Sequence, residues 1–270
     1  MARRAHAAGL AAIALTDHDT TDGVAEAARA GQPLGVQVVS GCEFSVKAPW
    51  GELHVLGYFL PAGHARLETF LTETRAARRR RGEEIVARLQ RLGVGLELTA
   101  VEFQAGTGAV GRPHVARALV EEGFTADIHE AFDRWLGRGR PAFVEKPLPE
   151  LRDLTDLVHS VGGLVVAAHL GEHGSEGQIR QFKEQGLDGL EVRHPSHSPA
   201  TEQRLVRIAE HLDLAVSGGS DWHGEFEAGE IHAPLGGMRV PMEWLTTLEQ
   251  RRAETSRRTV EETRQGEASA

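Results

Sequence analysis

Short apolar runs alternate with longer amphipathic stretches along most of the chain. Apolar runs of about four to eight residues predict buried strands, and the stretches between them predict helices. This alternation is typical of an α/β protein with a mostly parallel sheet. The predicted strands are Ala11–Thr16, Val36–Phe44, Glu52–Leu60, Leu164–His169, Leu187–Val192 and Leu214–Ser217, and the clearest predicted helices are Ala2–Ala8, Thr21–Ala30, Gln178–Gln185 and Thr201–His211.

The pattern changes between the third and fourth predicted strands, where a long segment reads as helix without strands. This segment carries Arg75 and the run Arg78–Arg81. Arginines at this density most often form a solvated helix face, and less often a wall that faces phosphate. The stretch after Trp244 lacks apolar periodicity and is rich in charge, which predicts disorder. The predicted division is a strand-containing domain at 1–64 and 148–245, a helical insert at 65–147 and a charged, disordered tail at 246–270.

Composition narrows the classes of function. With 270 residues, 40% of them hydrophobic, the chain can bury a sizeable core. The formal net charge of −9 argues against coating of duplex DNA and against a polybasic membrane anchor. No run approaches the roughly 20 apolar residues of a membrane span, and no signal pattern is visible, so we predict a cytoplasmic protein. The single cysteine, Cys42, excludes an internal disulfide and a cysteine-rich zinc cluster.

Titratable side chains gather where predicted strands end. His18 follows the first strand, Glu43 comes near the end of the second, and His169 ends the fourth. The carboxyl ends of parallel strands meet at one edge of a sheet, where active sites are built. Asp19 or Thr20 could simply cap the next helix, but a cap does not require His18.

Further candidates lie on the third strand and after the sixth. Period-two alternation places Glu52 and His54 on one face, and a neighbouring Glu43 favours a ligand role for His54 over a core role. Asp221 and His223 are two residues apart, so both can point to the same side of an extended segment. Imidazole and carboxylate without thiolate suit zinc, manganese or iron, and six groups exceed the needs of one tetrahedral ion. The predicted metal ligands are His18, Glu43, His54, His169, Asp221 and His223.

These segments, in this order, resemble the polymerase and histidinol phosphatase (PHP) family. The similarity runs from Arg3 to about Gly237 and rests on Thr16–Asp19, Gly41–Glu43, Glu52–Tyr58, Gly111–His114, the strand to His169 and Gly218–Gly224. Within the family, the chain most resembles the branch that removes the 3′-phosphate from nucleoside 3′,5′-bisphosphates and trims short RNA from the 5′ end. That likeness rests on Gly111–Arg117, Ala131–Leu136 and Gly186–Val192.

The resemblance implies a distorted (β/α)7 TIM-like barrel that holds up to three divalent metal ions at its carboxyl face. The family pattern begins with a strand bearing His-x-His and a loop bearing an early Asp, so the first strand is apparently missing. We therefore expect Met1 to be a misassigned or truncated start. The implied ligand sets are Glu43 with Asp221 for one metal, Glu43 with His54 and His169 for the second, and His18 with His223 for the third.

The resemblance also implies how substrate is handled. A metal-bound water would attack phosphorus, and Arg112 and His114 occupy the motif position that approaches the substrate phosphate. His194 and His197, after the next strand, are further phosphate-binding candidates. His114 and His197 are the candidate proton donors. The expected partner is a small phosphorylated nucleotide or short RNA, with no DNA duplex and no membrane.

Two other functions fit the same residues. The fold could serve a histidinol-phosphate phosphatase, although the Gly-Arg-Pro-His segment and the helical insert favour the nucleotide branch. The absent ligands would also suit a catalytically impaired PHP module that binds a nucleotide or a partner protein. Metal content and hydrolysis of a generic phosphomonoester distinguish the enzymes from such a module.

Overall fold

The computed structural model describes residues 1–106, 108–224 and 233–268, and by their internal contacts they form two compact units. The strand unit comprises Met1–Asp17, Thr21–Leu67 and Leu148–Ala270. The helical unit comprises His18–Thr20 and Glu68–Pro147.

The described strands form one mixed sheet whose order follows the sequence. They are β1 (Ala12–Leu15), β2 (Gln37–Ala48), β3 (Gly51–Tyr58), β4 (Leu164–Ala167), β5 (Gly189–Arg193) and β6 (Ala215–Gly218). The pairs β1–β2, β4–β5 and β5–β6 are parallel, whereas β3 runs antiparallel to both of its neighbours. All six strands were predicted. Three of the five pairings are parallel, as expected for a mostly parallel sheet, and the reversed β3 makes the sheet mixed.

The direction of β3 follows from the length of its connection. Ala48 at the end of β2 pairs with Gly51 at the start of β3, so Pro49 and Trp50 form the whole turn. Gly51 has a positive φ of 121°, which a side chain would disfavour. A parallel return needs a crossover of about a dozen residues, so a turn this short requires an antiparallel hairpin. The six strands curl into a half-barrel, and the closed (β/α)7 barrel stays a prediction.

Helices flank the sheet and make up the helical unit. The described helices are α1 (Ala2–Ala7), α2 (Val24–Gly31), α3 (Ala65–Arg91), α4 (Leu98–Ala105), α5 (Arg112–Glu121), α6 (Ile128–Ala131), α7 (Leu151–Ser160), α8 (Glu176–Glu184), α9 (Pro199–His211) and α10 (Met242–Ala268), with a 3₁₀ turn at Gln32–Leu34 and a π-helical turn at Phe132–Leu136. None of the described helices contains a segment long and apolar enough to cross a bilayer.

One face of the sheet changes from apolar to polar along the strands. At one end it carries a buried apolar cluster that includes Val39, Leu164, Val166 and Ala215. Cross-strand partners point to the same side of a sheet. The register pairs Glu43 with Leu56, Leu56 with Val166 and Val166 with Gly189, so Glu43, His54 and Glu191 share that face. The carboxyl ends of the parallel strands therefore present polar groups on a face that is otherwise core.

The segment predicted as a disordered tail, 246–270, is helical as far as Ala268 and forms most of α10. Leu248 is buried in the apolar cluster of the sheet, and Leu245 packs against it. Arg251 Nη2 also lies 2.8 Å from Asp213 Oδ1. Tertiary packing rather than intrinsic propensity supplies most helical stability. Two leucines are too few to reveal this packing as periodicity in the sequence.

The helical unit has its own apolar core, to which α3 and α5 contribute most of the large side chains. Two arginines of α3 donate hydrogen bonds to the segment at Phe143 and Val144, near the end of the helical unit. The Nε of Arg81, which is buried, donates to the Val144 carbonyl at 2.9 Å, and Arg88 Nη1 donates to the Phe143 carbonyl at 2.5 Å. The core residues are Ile85, Leu89, Leu96, Val101, Val115, Leu119 and Leu136, together with smaller neighbours.

Candidate active site

Glu43 is the centre of a histidine–carboxylate cluster in the strand unit. Its buried Oε1 lies 2.8 Å from His54 Nδ1 and 3.2 Å from His169 Nε2. The hairpin sets the first contact, because His54 lies two residues before Leu56, the partner of Glu43. The second contact depends on the end of β4: Ala168 N–H donates to the His54 carbonyl at 3.0 Å, and His169 then leaves the sheet with a φ of 28°. Such a conformation is rare for a residue other than glycine.

The charges around Glu43 favour a bound cation. His54 also lies against a second carboxylate, with its Nε2 3.2 Å from Glu52 Oε1. Burial opposes a positive charge on His54, but hydrogen bonds to Glu43 and Glu52 outweigh it and raise the pKa of His54 to about 9. Burial likewise opposes a charge on His169, and its hydrogen bond to Glu43 still raises its pKa. The carboxylates therefore stabilise positive charge on the neighbouring imidazoles.

A series of imidazole rings extends from this cluster. The ring centroids of His54 and His169 are 5.1 Å apart, those of His169 and His194 are 5.3 Å apart, and those of His194 and His197 are 5.5 Å apart. His169 follows β4, and His194 follows β5 directly. The ends of two parallel strands therefore deliver histidines beside the pair from the hairpin.

His194 connects this series to the loop after β6. Its Nδ1 accepts from the Ser196 N–H at 3.1 Å, so in the neutral ring Nε2 carries the proton, 3.5 Å from Asp221 Oδ2. Burial works to raise the pKa of the Asp221 carboxyl, but His194 and the charge of His223 outweigh it and lower that pKa. Asp221 has a φ of 49°, and its carbonyl lies 2.8 Å from His223 Nδ1.

Glu191 is a site residue that sequence reasoning missed. It is buried on β5, and its Oε2 accepts the backbone N–H of His169 at 2.8 Å. Burial raises the pKa of Glu191 to about 7, although His194 and His169 oppose the shift. The sequence did contain an indication of this residue, because Glu191 lies inside the predicted strand Leu187–Val192. Buried acids are rare without a partner or a function.

His197 was predicted to bind phosphate and to donate a proton, and in the structure both of its ring nitrogens contact backbone groups. Its Nδ1 lies 2.9 Å from the Val192 carbonyl, and its Nε2 accepts the Gly171 N–H at 3.0 Å. Burial is the largest cause that lowers the pKa of His197, and the charges of His194 and His169 add to it. A neutral ring with both nitrogens engaged joins the loops after β4 and β5, and it has no proton to spare for a leaving group.

Arg112 and His114 lie in the helical unit, at the start of α5. The guanidinium carbon of Arg112 lies 5.7 Å from the ring centroid of Phe132 and 5.5 Å from that of Phe143, and Nη1 donates to the Leu136 carbonyl at 3.4 Å. Two aromatic rings and a carbonyl thus fix the position of this cation. Phe132 and Leu136 belong to the π-helical turn, an irregularity that is frequent at functional sites.

The hydrogen bonding of His114 leaves its Nε2–H as a donor. Its Nδ1 accepts the Gly111 N–H at 3.0 Å, so the neutral ring carries its proton on Nε2. Burial lowers the pKa of His114, and the positive charges of Arg117 and Arg78 lower it further. A neutral His114 can donate a hydrogen bond to a phosphate, but it is a poor source of a proton for a leaving oxygen.

His18 comes directly after Asp17, whose carbonyl accepts the N–H of Glu43 at 3.1 Å. By its contacts His18 groups with Asp19 and Thr20 in the helical unit. The predicted site residues therefore divide between the two units. The strand unit contains Glu43, His54, His169, His194, His197, Asp221 and His223, and the helical unit contains His18, Arg112 and His114.

Comparison with known proteins places this arrangement in a family. The PHP domain matches residues 1–160. The chain is 32% identical over 228 residues to a 5′-3′ exoribonuclease of Haemophilus influenzae, covering 83% of each chain, and 32% identical over 234 residues to a 3′,5′-nucleoside bisphosphate phosphatase of Chromobacterium violaceum, covering 84% of this chain and 81% of the relative. A crystal structure described as a putative metal-dependent phosphoesterase from Bifidobacterium adolescentis superimposes with a TM-score of 0.82 at 31% identity, over 93% of this chain and 89% of that one. The predicted resemblance is confirmed, and the chain belongs to the PHP domain family.

Proposed function

We propose that this chain is a metal-dependent phosphoesterase that removes the 3′-phosphate from nucleoside 3′,5′-bisphosphates and trims short RNA from the 5′ end. The observation that carries the proposal is the buried Glu43 carboxylate. One of its oxygens contacts both His54 and His169 at the carboxyl ends of the parallel strands. The names of two relatives at 32% identity support nucleotide or RNA substrates over histidinol phosphate.

The donor chemistry of the cluster fits divalent cations. Imidazole nitrogen and carboxylate oxygen together suit manganese, zinc or iron. The raised pKa values of His54 and His169 show that the surrounding carboxylates stabilise positive charge there. When bound, such ions supply Lewis-acid chemistry at the phosphate and lower the pKa of water. The residues that we propose to hold them are His18, Glu43, His54, His169, Asp221 and His223.

The α5 segment supplies the proposed phosphate contacts. Arg112 presents a planar guanidinium that can donate two parallel hydrogen bonds to phosphate oxygens. The rings of Phe132 and Phe143 restrict its conformations before substrate arrives, so less entropy is lost on binding. The Nε2–H of neutral His114 can donate a further hydrogen bond to the same phosphate.

Two histidines of the strand unit act on their neighbours rather than on substrate. His194 directs its Nε2–H towards Asp221 and so orients that carboxylate. His197 fixes the Gly171 loop, which follows His169, against the end of β5. Partners of this kind hold ligands in the geometry that a metal requires.

Activity assays with defined metal content test the function. Metal-stripped protein is reloaded with Mn²⁺ and assayed with adenosine 3′,5′-bisphosphate, histidinol phosphate, p-nitrophenyl phosphate and a short 5′-phosphorylated RNA. We expect Mn²⁺-dependent release of phosphate from the bisphosphate at the highest kcat/KM, and shortening of the RNA. Preference for histidinol phosphate would overturn the substrate assignment. Nucleotide binding without hydrolysis of any substrate would instead identify a non-catalytic PHP module.

A further inference from the structure

The arginine run of α3 includes a buried ion pair within the helical unit. The Arg78 guanidinium contacts the Asp19 carboxylate through Nε, and the two side chains are only 10% and 2% exposed. Arg75 Nη1 donates to the Asp19 carbonyl at 3.0 Å. Arg75 and Arg78, both on α3, thus contact the same residue, Asp19, which directly follows His18.

The neighbouring arginine has different surroundings. Arg79 is 55% exposed and pairs with Glu83 at 2.6 Å and Glu102 at 2.8 Å, both on the surface. Exposed pairs of this kind contribute about 0–1 kcal/mol to stability. The solvated face predicted for the run describes Arg79 but not Arg78.

Arg78 also lies beside the start of α5. A Cβ built on Gly111 would lie 3.7 Å from Arg78 Nη1, and Gly111 is the N-cap residue that precedes Arg112. The positive charge of Arg78 is felt by His114, whose pKa it helps to lower. One guanidinium therefore borders both the segment His18–Thr20, which we call the His18 loop, and the start of the helix that carries the proposed phosphate ligands.

We propose that Arg78 is a positioning residue that holds the His18 loop in place for metal binding and sets the start of α5 for phosphate binding. This inference rests on the proposed function of the site. A buried ion pair adds little net stability, because desolvation of both charges offsets their attraction, but it fixes the groups it joins. Asp19 has a φ of 52°, a conformation that persists only when its surroundings impose it.

Arg78→Gln tests the proposal through metal binding and phosphate binding. Mn²⁺ affinity and stoichiometry are measured by titration calorimetry, and inorganic phosphate is measured as a competitive inhibitor of the Mn²⁺-loaded enzyme. We expect the weakest Mn²⁺ site to lose about 10–100-fold in affinity, and phosphate to inhibit less well by a similar factor. Arg78→Lys keeps the charge beside Asp19 and should recover part of both losses.

A second variant separates positioning from folding. Arg78→Gln leaves the Asp19 carboxylate buried without its partner, whereas Arg78→Gln combined with Asp19→Asn removes both charges and should fold. The folded double variant should retain the losses in Mn²⁺ and phosphate affinity. Because both substitutions break the same pair, their effects on affinity should be less than additive.

Arg79→Gln is the matched control, one residue along the same helix, and it should leave Mn²⁺ and phosphate affinity unchanged. If the double variant binds both ligands as tightly as Arg79→Gln does, Arg78 has no positioning role, and the proposed function stands. If wild-type protein hydrolyses no phosphate ester, the proposed function itself fails. Retained Mn²⁺ affinity with weakened phosphate inhibition would overturn the link to the His18 loop.

Discussion

Two histidine–carboxylate clusters occupy opposite ends of the sheet in the strand unit, and they are built differently. At the amino ends of β4 and β5, Asp188 Oδ2 lies 2.7 Å from His159 Nε2 and accepts the Val165 N–H at 2.8 Å. Its other oxygen accepts from the Thr255 hydroxyl at 3.4 Å. At the carboxyl ends, Glu43 meets two imidazoles, one of which also contacts the Glu52 carboxylate.

The difference lies in how the carboxylate charge is satisfied. Donors from α7, β4 and α10 surround Asp188, so the pair of Asp188 and His159 holds these three elements together. His54 contacts a second carboxylate, Glu52, as well as Glu43. Burial opposes a charge on His54, but Glu43 and Glu52 together raise its pKa to about 9, so this end of the sheet stabilises positive charge. The same two residue types thus form a structural pair at the amino ends of the strands and the proposed metal site at the carboxyl ends, which is the end where barrel and open α/β folds place their active sites.

Glu43→Gln should have the largest effect, and its main effect should be on the rate. It removes the charge that would bind metal, and loss of several kcal/mol of transition-state stabilisation lowers kcat/KM by about 10³-fold or more. Because Glu43 helps to raise the pKa of His54 to about 9, the substitution should also lower the free energy of unfolding of the metal-free protein below that pH, where His54 is charged in the folded state. Assays with Mn²⁺ and urea titrations with chelator measure the two quantities. A rate near that of wild type would exclude Glu43 from the metal site.

Asp188→Ala should show the reverse pattern. It leaves the Val165 N–H without an acceptor and His159 without a partner, which should lower the free energy of unfolding by about 3 kcal/mol. The kcat of the folded protein should remain within about twofold of wild type, because residues distant from a site usually act independently of it. Urea denaturation and active-site-normalised kinetics check both. A large loss of kcat in the folded protein would remove the contrast between the two ends.

Metal addition should separate the clusters in a third way. A ligand that binds only the folded state at 100 times its Kd stabilises that state by about 2.7 kcal/mol. Wild type and Asp188→Ala should both gain this stability with Mn²⁺, whereas Glu43→Gln should gain much less. Thermal unfolding with and without Mn²⁺ measures the gain. An equal gain in all three proteins would place the metal away from Glu43.

His197 should contribute the smallest effect, and it should depend on pH. Its pKa is lowered in the folded protein, so the unfolded chain binds more protons below about pH 6.5 and the free energy of unfolding falls as pH decreases. The slope from this group stays below about 1.4 kcal/mol per pH unit, and solvent screening reduces it further. His197→Gln should flatten the dependence between pH 7.5 and 5.5 in chelator.

The sequence predicted every described strand, because each lies in a mainly apolar run or in a period-two alternation of apolar and polar residues. His169 and Asp221 became ligand candidates because each follows such a run, and their role as ligands stays a proposal. The direction of β3 was missed, although the two-residue turn at Pro49 and Trp50 implied it. The role of His197 could not be predicted, because it depends on two backbone groups, Val192 and Gly171, that only the folded loops bring to its ring.

The surroundings of Arg78 could not be predicted from the sequence either. Five arginines within seven positions are alike in sequence, and only the fold distinguishes a guanidinium buried against Asp19 from one exposed beside Glu83. Glu191 is a different case: its apolar neighbours predicted a strand correctly, but its hydrogen-bond donor, the His169 N–H, is 22 residues away in the sequence and only the fold brings it close.

The β2–β3 hairpin also bears on how the protein folds. Glu43 and His54 are eleven residues apart in the sequence and meet through local pairing, and hairpins form in about 1–10 μs. His169 must join them across more than a hundred residues, and such distant contacts slow folding because loop closure costs entropy first. During folding, the β2–β3 hairpin should therefore be able to bind a cation through Glu43 and His54 before β4 pairs with β3. Metal present during refolding would then favour the native pairing of these strands as well as the finished site.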